Sequence, residues 1–350
     1  MPSPMKMCHV VIPVSDASHA GEIRRRTKQF AAEAGLSEAK REQAAIVATE
    51  LATNLTRHAT NGEIVIGSAR EDAPGWIELC SIDRGPGIPD VGRCLEDGYS
   101  TGGGPGNGLG AVRRLSTEWD LFSSTSPEMA PIGTVVFSRV AEQPATVGPG
   151  PFRWGAVSRP APHETRCGDA WRIAERPGEL SVMIVDGLGH GPEAAKAADE
   201  AAEVFDRDPF APLATFIQNS AIRMQSTRGG AVAAAHIDAA RRMLTFVGVG
   251  NIAGRLRAFD EESGRGLVSH NGVVGGPMRK IQEFEYPLPE EGLLVMHSDG
   301  LQSRWMLQAY PGLVARHPAV IAAILCRDYC RGPDDVTVAV VRFSLGRSLS

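Results

Sequence analysis

Four aspartates at the ends of short apolar runs are the residues of this chain best placed to do chemistry. Asp169 follows Gly168 at the head of one such run. Asp186 opens Asp186-Gly-Leu-Gly-His-Gly191 directly after residues 181–185, Asp299 stands in Ser298-Asp-Gly300 after residues 293–297, and Asp334-Asp335 precedes residues 336–343. Carboxylates at strand ends converge readily on one rim of a sandwich, and carboxylate and carbonyl oxygens are the ligands that Mg²⁺ or Mn²⁺ select. A single Asp-Gly is an ordinary turn, but four in this order are much harder to explain as turns. A second constellation lies upstream. Glu50 and Asn54 are four apart on one helical stretch and so share a face, with His58 one turn further along. Asp83-Arg-Gly-Pro-Gly87 places a carboxylate at a strand end and glycines where a backbone must bend or pass close to a ligand. Gly102-Gly-Gly-Pro-Gly-Asn-Gly-Leu-Gly110 then leads into a helical stretch at 111–115, presenting backbone N–H groups and a helix N-terminus to phosphate oxygens.

The elements that must position these residues fall into two groups. Ala141-Glu-Gln-Pro-Ala-Thr-Val-Gly-Pro-Gly-Pro151 breaks any helix or central strand and reads as a linker between domains at 1–140 and 152–350. Upstream, the patterning predicts a strand at 9–14 and a helix at 17–34. A second helix opens at Ser37 and is ended by Asn61-Gly62, and strands follow at 63–69, 76–82, 120–124 and 133–140. On that second helix Ile46, Val47, Leu51 and Leu55 are expected to form the core-facing stripe beside the polar row of Glu50 and Asn54. Downstream, strands at 154–158, 170–174, 180–185, 231–237, 244–249, 293–297 and 336–343 are interrupted by helices at 193–205 and 319–327, which predicts a β-sandwich flanked by helices. The fold class is therefore α+β.

At 350 residues two cores are expected, and a net charge of -5 with interspersed signs argues against a nucleic-acid partner. The apolar runs fall well short of the roughly 20 residues that a membrane helix needs. The N-terminus lacks the apolar core of a secretory signal, so a cytoplasmic protein is expected. Cys8, Cys80, Cys94, Cys167, Cys326 and Cys330 have no C-x-x-C spacing and read as reduced thiols.

With Gly133-Thr134 opening the last strand, the upstream motifs resemble the nucleotide-binding boxes of the GHKL ATPase and kinase superfamily. Residues 8–140 are most similar to the anti-sigma-factor and stressosome switch serine kinases, a likeness to which Asp97-Gly-Tyr-Ser-Thr101 adds. The resemblance implies that Asn54 coordinates a Mg²⁺ ion on the ATP phosphates and that Asp83 accepts from the adenine amino group. Gly85 and Gly87 would let the backbone pass the base, Gly104, Gly106, Gly108 and Gly110 would form the phosphate lid, and Thr134 completes the ATP-binding set. Glu50 would be general base on the substrate serine. Pro105 departs from the apolar residue that these kinases often carry.

The downstream half resembles the PPM family of metal-dependent serine/threonine phosphatases, in its SpoIIE-like branch, on Asp186-Gly-Leu-Gly-His-Gly191 and Asp334-Asp-Val-Thr337. That resemblance implies two Mn²⁺ or Mg²⁺ ions held by Asp169, Asp186, Asp299, Asp334 and the Gly187 carbonyl, with Asp335 ranked below Asp334. Cys167 departs from a glycine in many relatives. His190 reads either as an acid for the leaving alkoxide or as a structural turn residue, and His297 as a satisfied core side chain.

Together the resemblances imply a kinase and a phosphatase acting on one STAS-domain regulatory protein, phosphorylated and dephosphorylated in turn. A sigma factor or downstream output enzyme is the further partner class. Two alternatives stand beside this reading: an ATP-regulated phosphatase without kinase activity, and an N-terminal half that binds a sigma factor or other partner.

Overall fold

The computed structural model describes residues 7–69, 75–95, 108–128, 130–143, 150–261, 263–278 and 281–346. These residues form two compact units. Residues 7–143 and 306–328 make up one, and residues 150–305 and 329–346 the other.

The first unit runs β1 (Met7–Val14), α1 (Ser18–Glu33), α2 (Glu38–His58), β2 (Gly62–Ala69), β3 (Trp76–Ile82), a short α3 (Val91–Cys94), α4 (Gly108–Leu115), β4 (Glu118–Ser124) and β5 (Gly133–Ala141). Its sheet has the order β1-β2-β3-β5-β4, and every pairing is antiparallel. Strand alternation puts Ile64, Ile66, Ile77, Leu79, Val136 and Val140 into one core with Ile23 of α1 and Val47, Leu51 and Leu55 of α2. The opposite face is not left to water. Phe137 stacks on His317 with ring centroids 4.3 Å apart, and Phe122 meets Tyr310 edge-on at 6.2 Å. Across that face Arg139 pairs in register with Glu78 on one side and Glu118 on the other, donating to Glu78 Oε1 and Glu118 Oε2, with Arg139 and Glu78 buried and Glu118 half-buried.

The expected stripe on α2 needs one correction. Val47, Leu51 and Leu55 are buried, but Ile46 is 40% exposed. It lies four residues before Glu50 and eight before Asn54, so it belongs to their row, and the core face is completed by Ala44, Ala45, Ala48 and Ala52 instead. Large apolar residues drew the reading because alanines carry little hydrophobic signal, yet small side chains are what let a helix lie close on a sheet.

The second unit is a sandwich of two antiparallel sheets. It contains β6 (Phe152–Arg159), β7 (Asp169–Arg176), β8 (Glu179–Gly187), α5 (Pro192–Arg207), α6 (Leu213–Met224), β9 (Gly230–Asp238), β10 (Met243–Val249), β11 (Ala253–Ala258), β12 (Arg265–Gly266), β13 (Phe284–Pro287), β14 (Glu291–His297) and β15 (Val336–Ser344). One sheet has the order β13-β10-β9-β8-β7 and the other β12-β11-β14-β15-β6. Trp154 of β6 meets Trp171 of β7 at 6.1 Å across the interior. Alanines of α5 and Phe216 and Ile217 of α6 pack with Met183, Val185 and Val232. Helix α6 and strands β11 and β13 were not anticipated: α6 is short, and β11 carries Arg255 and Arg257 within its alternation. Between β14 and β15 lie two 3-10 turns, Leu307–Ala309 and Leu313–Ala315, and α7 (Pro318–Tyr329), in which every residue from 318 to 327 is buried. No described helix is long and apolar enough to cross a membrane.

Candidate functional site

In the second unit, strand register brings the aspartates together. Asp169 opens β7 and lies directly opposite Asp186 of β8. Ser298 is fully buried at the end of β14. Its Oγ donates to Asp169 Oδ2 at 2.7 Å and accepts from Thr337 N at 2.9 Å, while its own N–H donates to Thr337 O at 3.0 Å. The strand carrying Asp169, the turn carrying Asp299 and the strand after Asp334 are thus joined at one hydroxyl. Asn251 donates to Asp299 Oδ2 at 2.6 Å. Asp335 is buried and accepts from Ala161 N at 2.8 Å, whereas Asp334 accepts from Asp335 N at 2.9 Å and stays half-buried.

Burial raises the Asp186 carboxyl to about 9, helped by repulsion from Asp169, Asp299 and Asp334. Burial likewise raises Asp169 to about 7, against the opposing hydrogen bonds from Ser298 and Thr337. The Asp169 Oδ1 atom is buried and has no hydrogen-bond partner. Close backbone packing accompanies the cluster: a Cβ on Gly187 would lie 2.1 Å from the Ala194 carbonyl, and one on Gly300 2.0 Å from that of Asp335. Cys167 donates to the Arg159 carbonyl at 3.3 Å, and burial beside Asp169 and Asp335 pushes its thiol well up, so it stays protonated. His190 is exposed, with Nδ1 2.7 Å from Glu164 Oε1. His297 is the satisfied core residue expected: its Nε2 accepts from Trp305 Nε1 at 3.1 Å, and burial lowers it to about 4.

In the first unit, Asp83 leaves β3 beside β5. Its Oδ1 accepts from Gly85 N at 2.7 Å and Thr134 N at 3.2 Å, and its N–H donates to Thr134 O at 3.0 Å. Burial raises the carboxyl above its ordinary range in spite of these N–H donors. Gly85 packs on the end of α2, where a Cβ would stand 2.7 Å from the His58 carbonyl, and Gly87 takes φ +77°. Gly108, first residue of α4, sits against the polar row of α2: its Cβ position is 3.2 Å from Glu50 Oε2 and 3.4 Å from Asn54 Oδ1. Gly110 is buried in the first turn of α4. Gly104, Gly106, Pro105 and the stretch 97–101 lie outside the described residues.

Residues 14–136 match the histidine kinase-like ATPase domain family, and residues 176–344 the stage II sporulation protein E (SpoIIE) family. The chain is 35% identical over 100 residues to the serine/threonine-protein kinase RsbT of Bacillus subtilis (strain 168), covering 29% of this chain and 75% of that protein. This chain joins an RsbT-like kinase-type ATPase domain to a SpoIIE-type phosphatase domain. A structure from work on the bacterial stressosome as a modular system controlling secondary messenger signalling aligns with a TM-score of 0.50 at 26% identity, covering 55% of this chain and 99% of that one. RsbX in complex with magnesium aligns at 19% identity and a TM-score of 0.49, covering 55% of this chain and 96% of that one.

The phosphatase-domain carboxylates fit divalent cations by the chemistry of the set. They are hard oxygen donors, two of which, Asp186 and Asp169, are raised by burial and then by neighbouring carboxylates, and one buried oxygen lacks a donor. As placed, no three His, Cys, Asp or Glu side chains among the described residues form a ready-made cage. Because burial raises Asp186 to about 9 and Asp169 to about 7, a cation held by these two carboxylates would displace protons, and its affinity would climb as pH rises through that window. Calorimetric Mn²⁺ titrations in two buffers of different ionisation heat should show proton release at pH 7. The Kd should fall by up to about tenfold per pH unit for each proton displaced. Affinity independent of pH between 6 and 8 would contradict the assignment.

Sequence reasoning missed Ser298, Asn251 and Glu164. Ser298 is next to Asp299 in Ser298-Asp-Gly300, but nothing local marks a serine as a bridge between strands. Asn251 follows β10 at Gly250 and carries no motif signal of its own.

Proposed function

We propose that this chain is a bifunctional regulator that phosphorylates and dephosphorylates one small STAS-domain protein, with an ATP-binding serine kinase domain at 1–140, a linker at 141–151 and a metal-dependent phosphatase domain at 152–350. The observation that carries the reading is the presence of both constellations on one chain, Glu50 and Asn54 against the start of α4 and four mutually repelling carboxylates at strand ends. A phosphate adds about -1.5 to -2 charges, enough to open or close a protein interface, so opposed activities set a partner switch.

On the kinase side, Glu50 takes the proton of the incoming serine hydroxyl, and Asn54 would hold, through its amide oxygen, the Mg²⁺ that accompanies ATP. Asp83 accepts from the adenine amino group, with Gly85, Gly87 and Thr134 shaping that end. Gly108 and Gly110, at the start of α4, would cover the phosphates. On the phosphatase side, Asp169, Asp186, Asp299, Asp334 and the Gly187 carbonyl would hold two Mn²⁺ or Mg²⁺ ions, which supply an acidified water and charge neutralisation at phosphorus when bound. Ser298 and Asn251 orient the carboxylates that they touch. A sigma factor or output enzyme is the natural recipient of the switched partner.

With ATP and a cognate STAS protein, the wild-type chain should hold phosphoserine or phosphothreonine at a steady level below full occupancy. Asp186→Asn should drive that level towards completion and Glu50→Gln towards zero, as read by phosphoprotein mass spectrometry. A phosphatase variant that accumulates no more phosphoprotein than wild type would separate the two domains into different pathways. An ATP-responsive phosphatase without transfer would show no phosphoprotein in either variant.

A further inference from the structure

The stretch between the Asp299 turn and Asp334 belongs by sequence to the phosphatase domain, yet residues 306–328 are part of the compact unit that holds the nucleotide boxes. Its anchors are specific. The His317 N–H donates to Asp120 Oδ2 at 2.6 Å, and His317 Nε2 lies 3.2 Å from Glu118 Oε1 while the ring stacks on Phe137. At the far end of α7, the Arg327 side chain is 3% exposed and faces two backbone carbonyls of that unit. It donates to the Asp83 carbonyl at 3.0 Å and to the Pro131 carbonyl at 3.3 Å. Asp328 holds the guanidinium from behind, at 3.0 Å from Nε and 2.7 Å from an Nη, and itself accepts from Tyr310 and Arg84. Arg84 also donates to the Arg327 carbonyl.

Gly133 makes this approach feasible. Its φ is +131°, and a Cβ there would lie 2.2 Å from the Asp83 carbonyl and 2.6 Å from the Arg327 guanidinium. The next residue, Thr134, donates to the Asp83 carboxylate. Asp83 is therefore held twice, by Thr134 at its side chain and by Arg327 at its backbone. An arginine fork with all three nitrogens engaged suits such a clamp, because its planar geometry is pre-organised and it loses little freedom per hydrogen bond.

We propose that Arg327 is a positioning residue for Asp83 at the adenine end of the nucleotide site, so that nucleotide occupancy is transmitted through residues 306–328 to the chain between the Asp299 and Asp334 carboxylates. This rests on the reading of Asp83 as the adenine acceptor. Arg327 touches no nucleotide; it sets where the Asp83 carboxylate stands. A carboxylate aimed at the adenine amino group rejects guanine, whose corresponding position is an acceptor, so loss of aim shows as lost discrimination between bases. Linkage makes the second half reciprocal: if ATP alters the phosphatase site, occupancy of that site alters ATP affinity by the same factor.

The test uses the full chain, with Kd values for Mg²⁺-ATP and Mg²⁺-GTP. Arg327→Gln should raise the ATP Kd about tenfold and narrow the ATP-to-GTP ratio, and Arg327→Lys, which keeps one donor for the Asp83 carbonyl, should recover most of both. Should Arg327→Gln fail to fold, Arg84→Gln loosens the same segment from an exposed position and should shift the ratio in the same direction by about threefold. Hydrolysis of p-nitrophenyl phosphate, with and without a saturating non-hydrolysable ATP analogue, reads the coupling. The wild-type rate should change by about threefold or more, and Arg327→Gln should lose that response. Wild-type ATP affinity in Arg327→Gln, or equal losses for ATP and GTP that lysine does not rescue, would overturn the positioning role. A phosphatase rate indifferent to nucleotide in the wild-type chain would overturn the transmission. Asp83→Asn separates this inference from the reading beneath it. If Asp83→Asn binds ATP like wild type, the adenine assignment fails; if it weakens ATP while Arg327→Gln does not, only the inference fails.

Discussion

Asp186→Asn in the full chain should lower hydrolysis of a phosphoserine substrate by about a thousandfold or more, because cation stabilisation of the transferring phosphoryl is worth several kcal/mol and each factor of ten is about 1.4 kcal/mol. Asp299→Asn should do the same. Burial and then the neighbouring charges, Asp299 among them, raise Asp186 to about 9, so removing either carboxylate weakens the pull of the set on a divalent ion directly. ATP affinity should stay near its wild-type value in the Asp299→Asn chain when no divalent ion other than the one accompanying ATP is present. Ser298→Ala gives the graded control. It leaves every proposed ligand in place but removes the donor to Asp169 Oδ2 and the acceptor for Thr337 N, and a loss of about 10- to 100-fold is expected from misoriented ligands. Activity is measured as phosphate release over a Mn²⁺ series. Full activity of either aspartate variant, or of wild type in excess chelator, would refute the two-cation site.

On the kinase side, Glu50→Gln should cut phosphoryl transfer to the STAS protein by about 100- to 10,000-fold while leaving the ATP Kd nearly unchanged, since a general base matters chiefly in the transition state. Asp83→Asn should do the opposite, raising the ATP Kd by about tenfold or more with turnover at saturating ATP largely kept. The two residues occupy different surroundings in the fold. Glu50 lies on the α2 row beside Gly108, whereas the Asp83 Oδ1 is engaged by Gly85 and Thr134 N–H groups, so the proposed adenine contact would fall to Oδ2. Fluorescent-nucleotide binding and radiolabel transfer on the same preparations separate the effects. Equal losses of affinity in both variants would make Glu50 a binding or structural residue.

Much of the fold was legible because its elements announce themselves locally. Strands such as β8 and β14 are continuous apolar runs closed by Asp-Gly, and α5 follows a glycine turn with proline at its first position. What failed locally failed for physical reasons. Ile46 was placed in the core on its size, but four residues separate it from Glu50, and helical geometry assigns it to the site row. Strand β11 was overlooked because Arg255 and Arg257 occupy one side of its alternation, and a polar side reads as loop until the partner strand is known.

The sequence by itself determined the chemistry on offer: carboxylates at the ends of apolar strands, a glutamate and an asparagine one turn apart, and glycines where a backbone must approach a ligand or a neighbour. These are properties of residue type and short spacing, and a chain displays them without being folded. Only the tertiary structure decided which of them meet. The β7–β8 register sets Asp169 against Asp186, and Ser298 ties Asp169 to Thr337, itself 39 residues further along the chain than Ser298. Arg327 reaches the Asp83 carbonyl over a separation of 244 residues. Such pairings are chosen by the packing of whole faces and by the demand that buried polar groups find partners, and neither leaves a trace in local periodicity. For that reason the segment 306–328 reads as phosphatase in the sequence and stands with the nucleotide boxes in the fold.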